Sequence, residues 1–287
     1  MKEMILIRAK STDGAAIRCV QEWREHAPPK KPLIQWQDFR SAKELARSWL
    51  RYGVPSMPIE YSELLHSHKL TRRFEPEIAI AEVEIRIDEF FGPRNSDLVV
   101  IGKASRQPIV LAVEAKADEE FAKIIAAEMQ RLSTKSNKPE RMARLVAAIL
   151  DRPLDTHVNS LRYQLLHSLA ATAIKAREHE AKLGVLLIHE FISLKLDFEK
   201  VTANATDLKT FVRTIPGWEN ETVVTGQLLP PIKLRGNQDV PGDQLVTIGK
   251  VRTLVPLDAG ERERGPAGFI TRNRQFLVPS PSTIPPV

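Results

Sequence analysis

The feature that most constrains this fold is a short apolar run that ends in charged residues. Residues 109–116 read Ile-Val-Leu-Ala-Val-Glu-Ala-Lys, and the unbroken apolar part predicts a strand covered on both faces. Because residues i and i+2 share a face of a strand, Glu114 and Lys116 point to the same side. A doubly covered strand rarely ends in an acid, a small residue and a base, so we expect this strand end to have a chemical use.

The patterns around this strand predict an α/β fold with a mixed sheet flanked by helices. Residues 82–88 alternate between charged and apolar side chains, which indicates a half-buried strand, and residues 97–101 form the next one. Residues 185–191 predict a further buried strand, and the region after about residue 215 is either a β appendage or an extension packed on the core. The predicted parts are an N-terminal helical segment at 1–58, a core at 59–193 with a helical insertion at about 132–158, and a helix and β-rich C-terminal extension at 194–287.

Composition excludes several classes of protein. An apolar fraction of 43% over 287 residues can bury a core, which excludes a disordered chain. Cys19 is the only cysteine, so an intrachain disulfide and a thiolate zinc site are excluded. The apolar runs are far shorter than the ~20 residues of a membrane span, and the first residues lack a signal-peptide layout, so we expect a cytoplasmic protein that does not bind membranes. The net charge of +6 is compatible with nucleic acid binding without requiring it.

A hairpin would bring a second carboxylate to the end of the strand at 109–116. If the chain turns back at Ser105 and Arg106, Asp97 lies opposite Glu114, with Cα atoms ~4.5–5.5 Å apart. Two carboxylates at that separation repel each other unless a cation lies between them. Mg²⁺ fits, because it takes a few carboxylate oxygens and keeps several waters. Lys116 beside the pair could orient or help to deprotonate a metal-bound water and stabilise charge on a phosphate.

The acid-x-Lys pattern alone is a weak signal. It recurs as Glu-Ala-Lys at 180–182 and Asp-Leu-Lys at 207–209, but both lie in helical stretches, where i and i+2 point to different sides. On spacing alone, a cross-strand salt bridge at a sheet end explains the first copy about as well as a metal site does. Motifs of zinc proteases, P-loop proteins, serine hydrolases and dinucleotide-binding proteins are absent from the sequence.

The order of these motifs resembles the PD-(D/E)XK nuclease superfamily, which has the restriction-endonuclease-like fold. A strand with an aspartate, a hairpin, a strand ending in Glu-Ala-Lys and a helix match its pattern over roughly residues 59–191. The chain is also similar to an uncharacterised bacterial branch of that superfamily, in which stretches like RSAKELARSWL, RNSDLVVIG and VEAKADEEF follow one another. The resemblance implies that Asp97, Glu114 and the backbone carbonyl of Ala115 bind Mg²⁺ or Mn²⁺, and that Lys116 is catalytic. The proline that usually precedes the aspartate is replaced by Ser96.

The resemblance also implies further site residues on neighbouring elements. Many superfamily members add an acid from the first core helix or strand, and Glu84 and then Glu60 are preferred here over Glu63 and Glu82. A glutamine often lies on the helix after the motif, and Gln164 in LRYQLLHSL matches it. Ordinary salt bridges and a hydrogen bond on the helix face explain the same residues without a site.

Basic residues could contact the nucleic acid backbone. Arg94 and Asn95 directly precede the aspartate strand, although turn chemistry also explains Asn95. Arg141 and Arg144 lie in the basic helical insertion, and a second basic group runs through the C-terminal tail; both are expected to follow the phosphate backbone. The second group comprises Lys250, Arg252, Arg262, Arg264, Arg272 and Arg274.

The sequence thus predicts a Mg²⁺-dependent endonuclease that hydrolyses phosphodiester bonds, most readily in DNA, with nucleic acid as its partner. A homodimer is compatible with this prediction. The alternative is a non-catalytic module on the same fold that binds nucleic acid or a protein. A third class is a structural domain in which the triad is only a salt-bridge cluster, and metal binding separates it from the other two.

Overall fold

A computed structural model describes residues 4–51, 53–90, 92–130, 136–195 and 197–257. Within these ranges the strands form one seven-stranded mixed sheet. The strands are β1 (Leu6–Ala9), β2 (Glu75–Ile85), β3 (Arg94–Ala104), β4 (Gln107–Lys116), β5 (Leu183–Ile192), β6 (Ile232–Lys233) and β7 (Leu245–Leu254). Their order across the sheet is β1-β2-β3-β4-β5-β7-β6. Strands β2, β3 and β4 form an antiparallel meander, whereas β4, β5 and β7 run parallel to one another.

Helices cover both faces of this sheet. They are α1 (Val20–His26), α2 (Pro32–Gln35), α3 (Ser41–Trp49), α4 (Ile59–His66), α5 (Ile125–Met129), α6 (Lys138–Leu150), α7 (Tyr163–Glu178) and α8 (Phe198–Thr214). Helices α1, α3 and α4 contribute to one apolar core, in which Trp23, Trp49 and Tyr61 are fully buried. Helices α6, α7 and α8 pack over a second core, and a smaller third cluster lies between α7 and strands β2 to β4. The predicted α/β class with helices on a mixed sheet is therefore confirmed.

Strand β4 is buried on both faces, as its apolar run predicts. Leu111 and Val113 contact the core beneath α3 and α4, whereas Val110 contacts the core beneath α7. The hairpin turns at Ser105 and Arg106, both of which have positive φ, and Val113 pairs with Leu98. The pairs of this ladder have the predicted register, and the ladder ends at Leu98 and Val113, one residue before Asp97 and Glu114.

The terminal parts of the chain contribute strands to the same sheet. The segment 1–58, expected to be helical, also contains β1, which pairs in parallel with β2. Strand β7, from the C-terminal extension, pairs along its length with β5. Parallel strands are joined by long connections, so neither pairing is visible as a local pattern.

The chain directly after β4 is less helical than expected. The helix expected directly after the Glu-Ala-Lys strand is short, because α5 spans only Ile125–Met129. The backbone N–H of Phe121 donates to Asn204 on α8, and the N–H of Ile125 donates to the carbonyl of Leu161. Tertiary contacts therefore hold this segment extended. Among the described residues, no helix has the length and apolar character needed to cross a membrane.

Candidate functional site

The site lies where β3 and β4 diverge after the pair Leu98–Val113. Beyond that pair, the Oδ2 atom of Asp97 accepts a hydrogen bond from the backbone N–H of Ala115 at 2.7 Å. The N–H and C=O of one strand residue point to the same side, so the Ala115 carbonyl also faces β3. The structure thus places Asp97 against the backbone of Ala115, next to Glu114 on β4, as the sequence predicts.

Glu114 and Lys116 form a buried ion pair on the face covered by α7. Lys116 Nζ donates to Glu114 Oε1 at 2.8 Å, and the two residues are only 6% and 4% exposed. Gln164 Nε2 donates to the same Oε1 atom, and Ser168 Oγ donates to Oε2 at 3.2 Å. Two donors one helical turn apart on α7 therefore hold the carboxylate in place. Gln164 was predicted from the resemblance; Ser168 was missed, although its i+4 spacing from Gln164 marks it as a neighbour on the helix.

A third carboxylate comes from Glu82, and not from the preferred Glu84. The Oε2 atom of Glu82 accepts a hydrogen bond from Asn95 Nδ2 at 3.1 Å, whereas Glu84 is exposed. Glu82 has a φ of 53°, and Ile80 and Val83 on either side of it reach the same apolar cluster. The alternation of the strand is broken at this residue. Glu82 and Glu84 were expected on the same face of the strand, but the break puts their side chains on different faces.

Glu60, the other preferred acid, lies on the opposite face of the sheet. Its Oε1 atom accepts from Thr253 Oγ1 at 2.8 Å, and Thr253 is hydrogen-bonded to His189, which in turn contacts Tyr61. Helix α4, which carries Glu60, packs on the side of the sheet away from α7, so this residue is not part of the site.

The electrostatics of the site are dominated by excess negative charge. Burial raises the pKa of Asp97 well above its usual value, and the charges of Glu114 and Glu82 raise it further. Burial, with a contribution from Glu114, raises the pKa of Glu82 to about 7. Burial opposes charge on Lys116, but Glu114 and Asp97 more than offset this and raise its pKa. Asp97 and Glu82 thus have raised pKa values beside the buried Glu114–Lys116 ion pair.

This imbalance fits a divalent cation. Among the described residues, no group of three or more His, Cys, Asp or Glu side chains is drawn together as ligands of one metal ion. However, the second oxygens of Asp97 and Glu82 accept no hydrogen bond within the described part of the chain. Asn95 Oδ1, beside Glu82, is buried and equally without a partner. Carboxylate, amide and backbone oxygens are the donors that Mg²⁺ prefers.

Arg94 lies next to the site but is turned toward α7. Its guanidinium donates to the hydroxyl of Tyr163 at 2.7 Å and stacks over that ring, and its Nε atom is buried without a partner. Asn95 contacts Glu82 as described. Both residues therefore border the carboxylates, at positions compatible with the predicted contact to a substrate.

The structure does not support Arg141 and Arg144 as a surface for phosphate. Arg141 is only 8% exposed and donates two hydrogen bonds of 2.6 Å to Asp88. Arg144 pairs with Glu89, Glu140 and Asp239. Internal acids thus hold both guanidinium groups. The tail arginines at 262–274 lie outside the described residues.

Comparison with known proteins identifies a family. Residues 16–251 match the model of a family described as a domain of unknown function, DUF6946. The chain belongs to this family. The DUF6946 match covers every residue of the candidate site, from Glu82 to Gln164. No curated protein and no solved structure matches the chain.

Proposed function

We propose that this chain is a metal-dependent nuclease that hydrolyses phosphodiester bonds in DNA. One observation carries the proposal: Asp97 accepts a hydrogen bond from the backbone of Ala115, which lies between Glu114 and Lys116, and the side chains of Glu114 and Lys116 form a buried ion pair. The charges of Glu114 and Glu82 raise the pKa of Asp97, so further carboxylates lie near this pair. A structural salt bridge needs one acid for one base, and further carboxyl groups beside it only raise its electrostatic cost.

The order of the elements supports the restriction-endonuclease-like core that the resemblance implies. Strands β2, β3 and β4 form a meander, and α7 then crosses to β5, which is parallel to β4. The three motif residues come from β3 and β4, and Gln164 comes from the crossover helix. This arrangement agrees with the predicted sequence of strand, hairpin, strand and helix.

The residues divide into two roles. Asp97, Glu114 and the Ala115 carbonyl would hold Mg²⁺ or Mn²⁺, with Glu82 as an additional acid beside them. A bound divalent cation supplies polarisation of a phosphoryl oxygen and a water of lowered pKa. Lys116 keeps its positive charge, because its pKa is raised, and can stabilise negative charge that develops on the phosphate. Gln164 and Ser168 orient the Glu114 carboxylate.

The test is cleavage of plasmid, linear and single-stranded DNA with Mg²⁺, with Mn²⁺ and with EDTA. Asp97→Asn and Glu114→Gln should each lower the cleavage rate by at least ~10²-fold, and so should Lys116→Met. Glu180→Gln is the matched control, because residue 180 begins the other Glu-Ala-Lys tripeptide and is exposed. This control should cleave like the unaltered chain.

Metal binding separates the enzyme from the alternatives. Mg²⁺ should raise the melting temperature of the unaltered chain and of Lys116→Met, but not that of Asp97→Asn, because binding to the folded state stabilises it. A metal-dependent shift without cleavage of any DNA would favour the non-catalytic module. Undiminished cleavage by both carboxylate variants would show that the site is assigned incorrectly.

A further inference from the structure

A second charged group lies on the same face of the sheet, on β5 and β7. Lys250 Nζ is 3.6 Å from Glu190 Oε2, and the guanidinium of Arg252 donates to that same oxygen at 2.8 Å and 3.2 Å. Glu190 is 5% exposed. Two cations therefore share one buried carboxylate, which leaves one positive charge without a counter-charge among the described residues.

The ammonium group of Lys250 is poorly satisfied. Lys250 is 7% exposed, and its Nζ atom makes no hydrogen bond to any residue in the described ranges. A lysine ammonium has three donors, so those that the ion pair with Glu190 does not use can take an acceptor from outside. The side chain of Arg252 is 38% exposed, so the group opens to solvent on that side. An unbalanced ammonium next to an open arginine points to an anion that comes from outside the chain.

Strand register places this group in line with the candidate site. Lys116 on β4 pairs with Glu190 on β5, which pairs with Arg252 on β7. In the same way, Glu114 pairs with Ile188 on β5, and Ile188 pairs with Lys250 on β7. The two ends of each register, Lys116 and Arg252 or Glu114 and Lys250, are two strand spacings apart, a distance of about 10 Å. The extra positive charge thus lies on the sheet face of Lys116 and within reach of a substrate bound there.

We propose that Lys250 and Arg252 bind a backbone phosphate of the nucleic acid strand, next to the phosphate positioned at Lys116. The assignment rests on the proposed function, since it places a second phosphate of the same substrate. A phosphate supplies acceptors for the Lys250 ammonium, and the free edge of the Arg252 guanidinium suits a phosphate oxygen. Glu190 holds the two side chains in position for this contact.

The experiment measures binding of a labelled DNA duplex by fluorescence anisotropy in EDTA, over a series of KCl concentrations. Arg252→Gln should weaken binding and make the slope of log affinity against log salt shallower by about 0.9, the value for one lost phosphate contact. Lys250→Met should do the same if it folds, which its melting temperature checks. Arg106→Gln is the matched control. This exposed arginine lies in the β3–β4 turn, at the other end of β4, and its side chain makes no hydrogen bond or ion pair with the described residues.

The outcomes separate this assignment from the nuclease proposal. A slope that is the same for Arg252→Gln, Arg106→Gln and the unaltered chain overturns the phosphate site, even if the chain cleaves DNA. A slope change confined to Arg252→Gln, in a chain that never cleaves DNA, retains the phosphate site and overturns the nuclease. Absence of DNA binding by the unaltered chain overturns the phosphate site as well.

Discussion

Two buried groups of charged residues in this protein differ in their charge balance. In one, Arg141 and Asp88 form a one-to-one pair, and the remaining donors of Arg141 reach the carbonyls of Phe90 and Gly92. In the other, Glu114 pairs with Lys116, and the charges of Glu114 and Glu82 raise the pKa of the neighbouring Asp97. The first group satisfies itself, which suits a structural role. The second lacks positive charge, which suits a site that binds a cation.

The difference shows that burial of a charge does not by itself indicate function. Arg141 is about as buried as Lys116, with 8% and 6% exposure, and sequence patterns favoured both as functional residues. Only the partners distinguish them, because a matched buried pair is costly to break, whereas excess like charge opposes folding. The three predictions below test this contrast, from the largest expected effect to the smallest.

Arg141→Met should destabilise the fold by about 3–5 kcal/mol, because it leaves the Asp88 carboxylate, whose side chain is 2% exposed, buried without its partner. Urea denaturation followed by circular dichroism measures the change. The salt dependence of DNA binding should not change. A loss of less than about 1 kcal/mol would mean that the pair is not structurally important and that Arg141 is available for another role.

Glu82→Gln should stabilise the metal-free protein at pH 8 by about 1–3 kcal/mol and have little effect near pH 4.5. Folded Glu82 keeps its proton up to about pH 7, whereas its ordinary pKa is 4.5. The folded state therefore binds more protons than the unfolded state between these values, so stability falls as pH rises through that window. A glutamine at this position carries no charge, so it removes this loss of stability at high pH.

The measurement is the melting temperature of both chains at pH 5 and pH 8, in EDTA and in Mg²⁺. In EDTA the advantage of Glu82→Gln should grow with pH. Mg²⁺ should reduce that advantage, because a cation favours the ionised carboxylates of the unaltered chain. If the two chains respond identically to pH in EDTA, Glu82 does not share the excess charge with Asp97 and Glu114.

Arg144→Gln should have the smallest effect, below about 1 kcal/mol in stability, because its partners Glu89 and Glu140 are largely exposed. The slope of log DNA affinity against log salt should stay the same, since internal acids already neutralise this guanidinium. The anisotropy assay described for Arg252→Gln measures it. A shallower slope by about 0.9 would restore the helical insertion as a phosphate-binding surface.

Local patterns predicted much of this molecule correctly. The apolar run before Glu114, the hairpin register and the shared face of Glu114 and Lys116 follow from strand periodicity and a two-residue turn. The same periodicity gave the wrong answer at Glu82, because one residue with positive φ reverses the alternation. A single break of this kind leaves no mark in a pattern of apolar and polar residues.

Non-local pairing accounts for the other differences. Strands β1 and β7 join the sheet through parallel pairings with distant strands, so the terminal segments looked like additions to a core. Arg141 looked free because its acid, Asp88, lies in the connection between β2 and β3, 53 residues away along the chain. A charged side chain has the same local pattern whether it is paired or solvated.

The sequence by itself determined the α/β class, the β3–β4 hairpin and the pairing of Asp97 with the Glu114 strand, because these depend on contacts between residues close together in the chain. The tertiary structure alone decided that Glu82 joins the site and that Lys250 and Arg252 share Glu190. These outcomes depend on which charges become neighbours after the sheet is assembled. Electrostatic energy depends on distance in space, so the charge balance of each group appears only in the folded molecule.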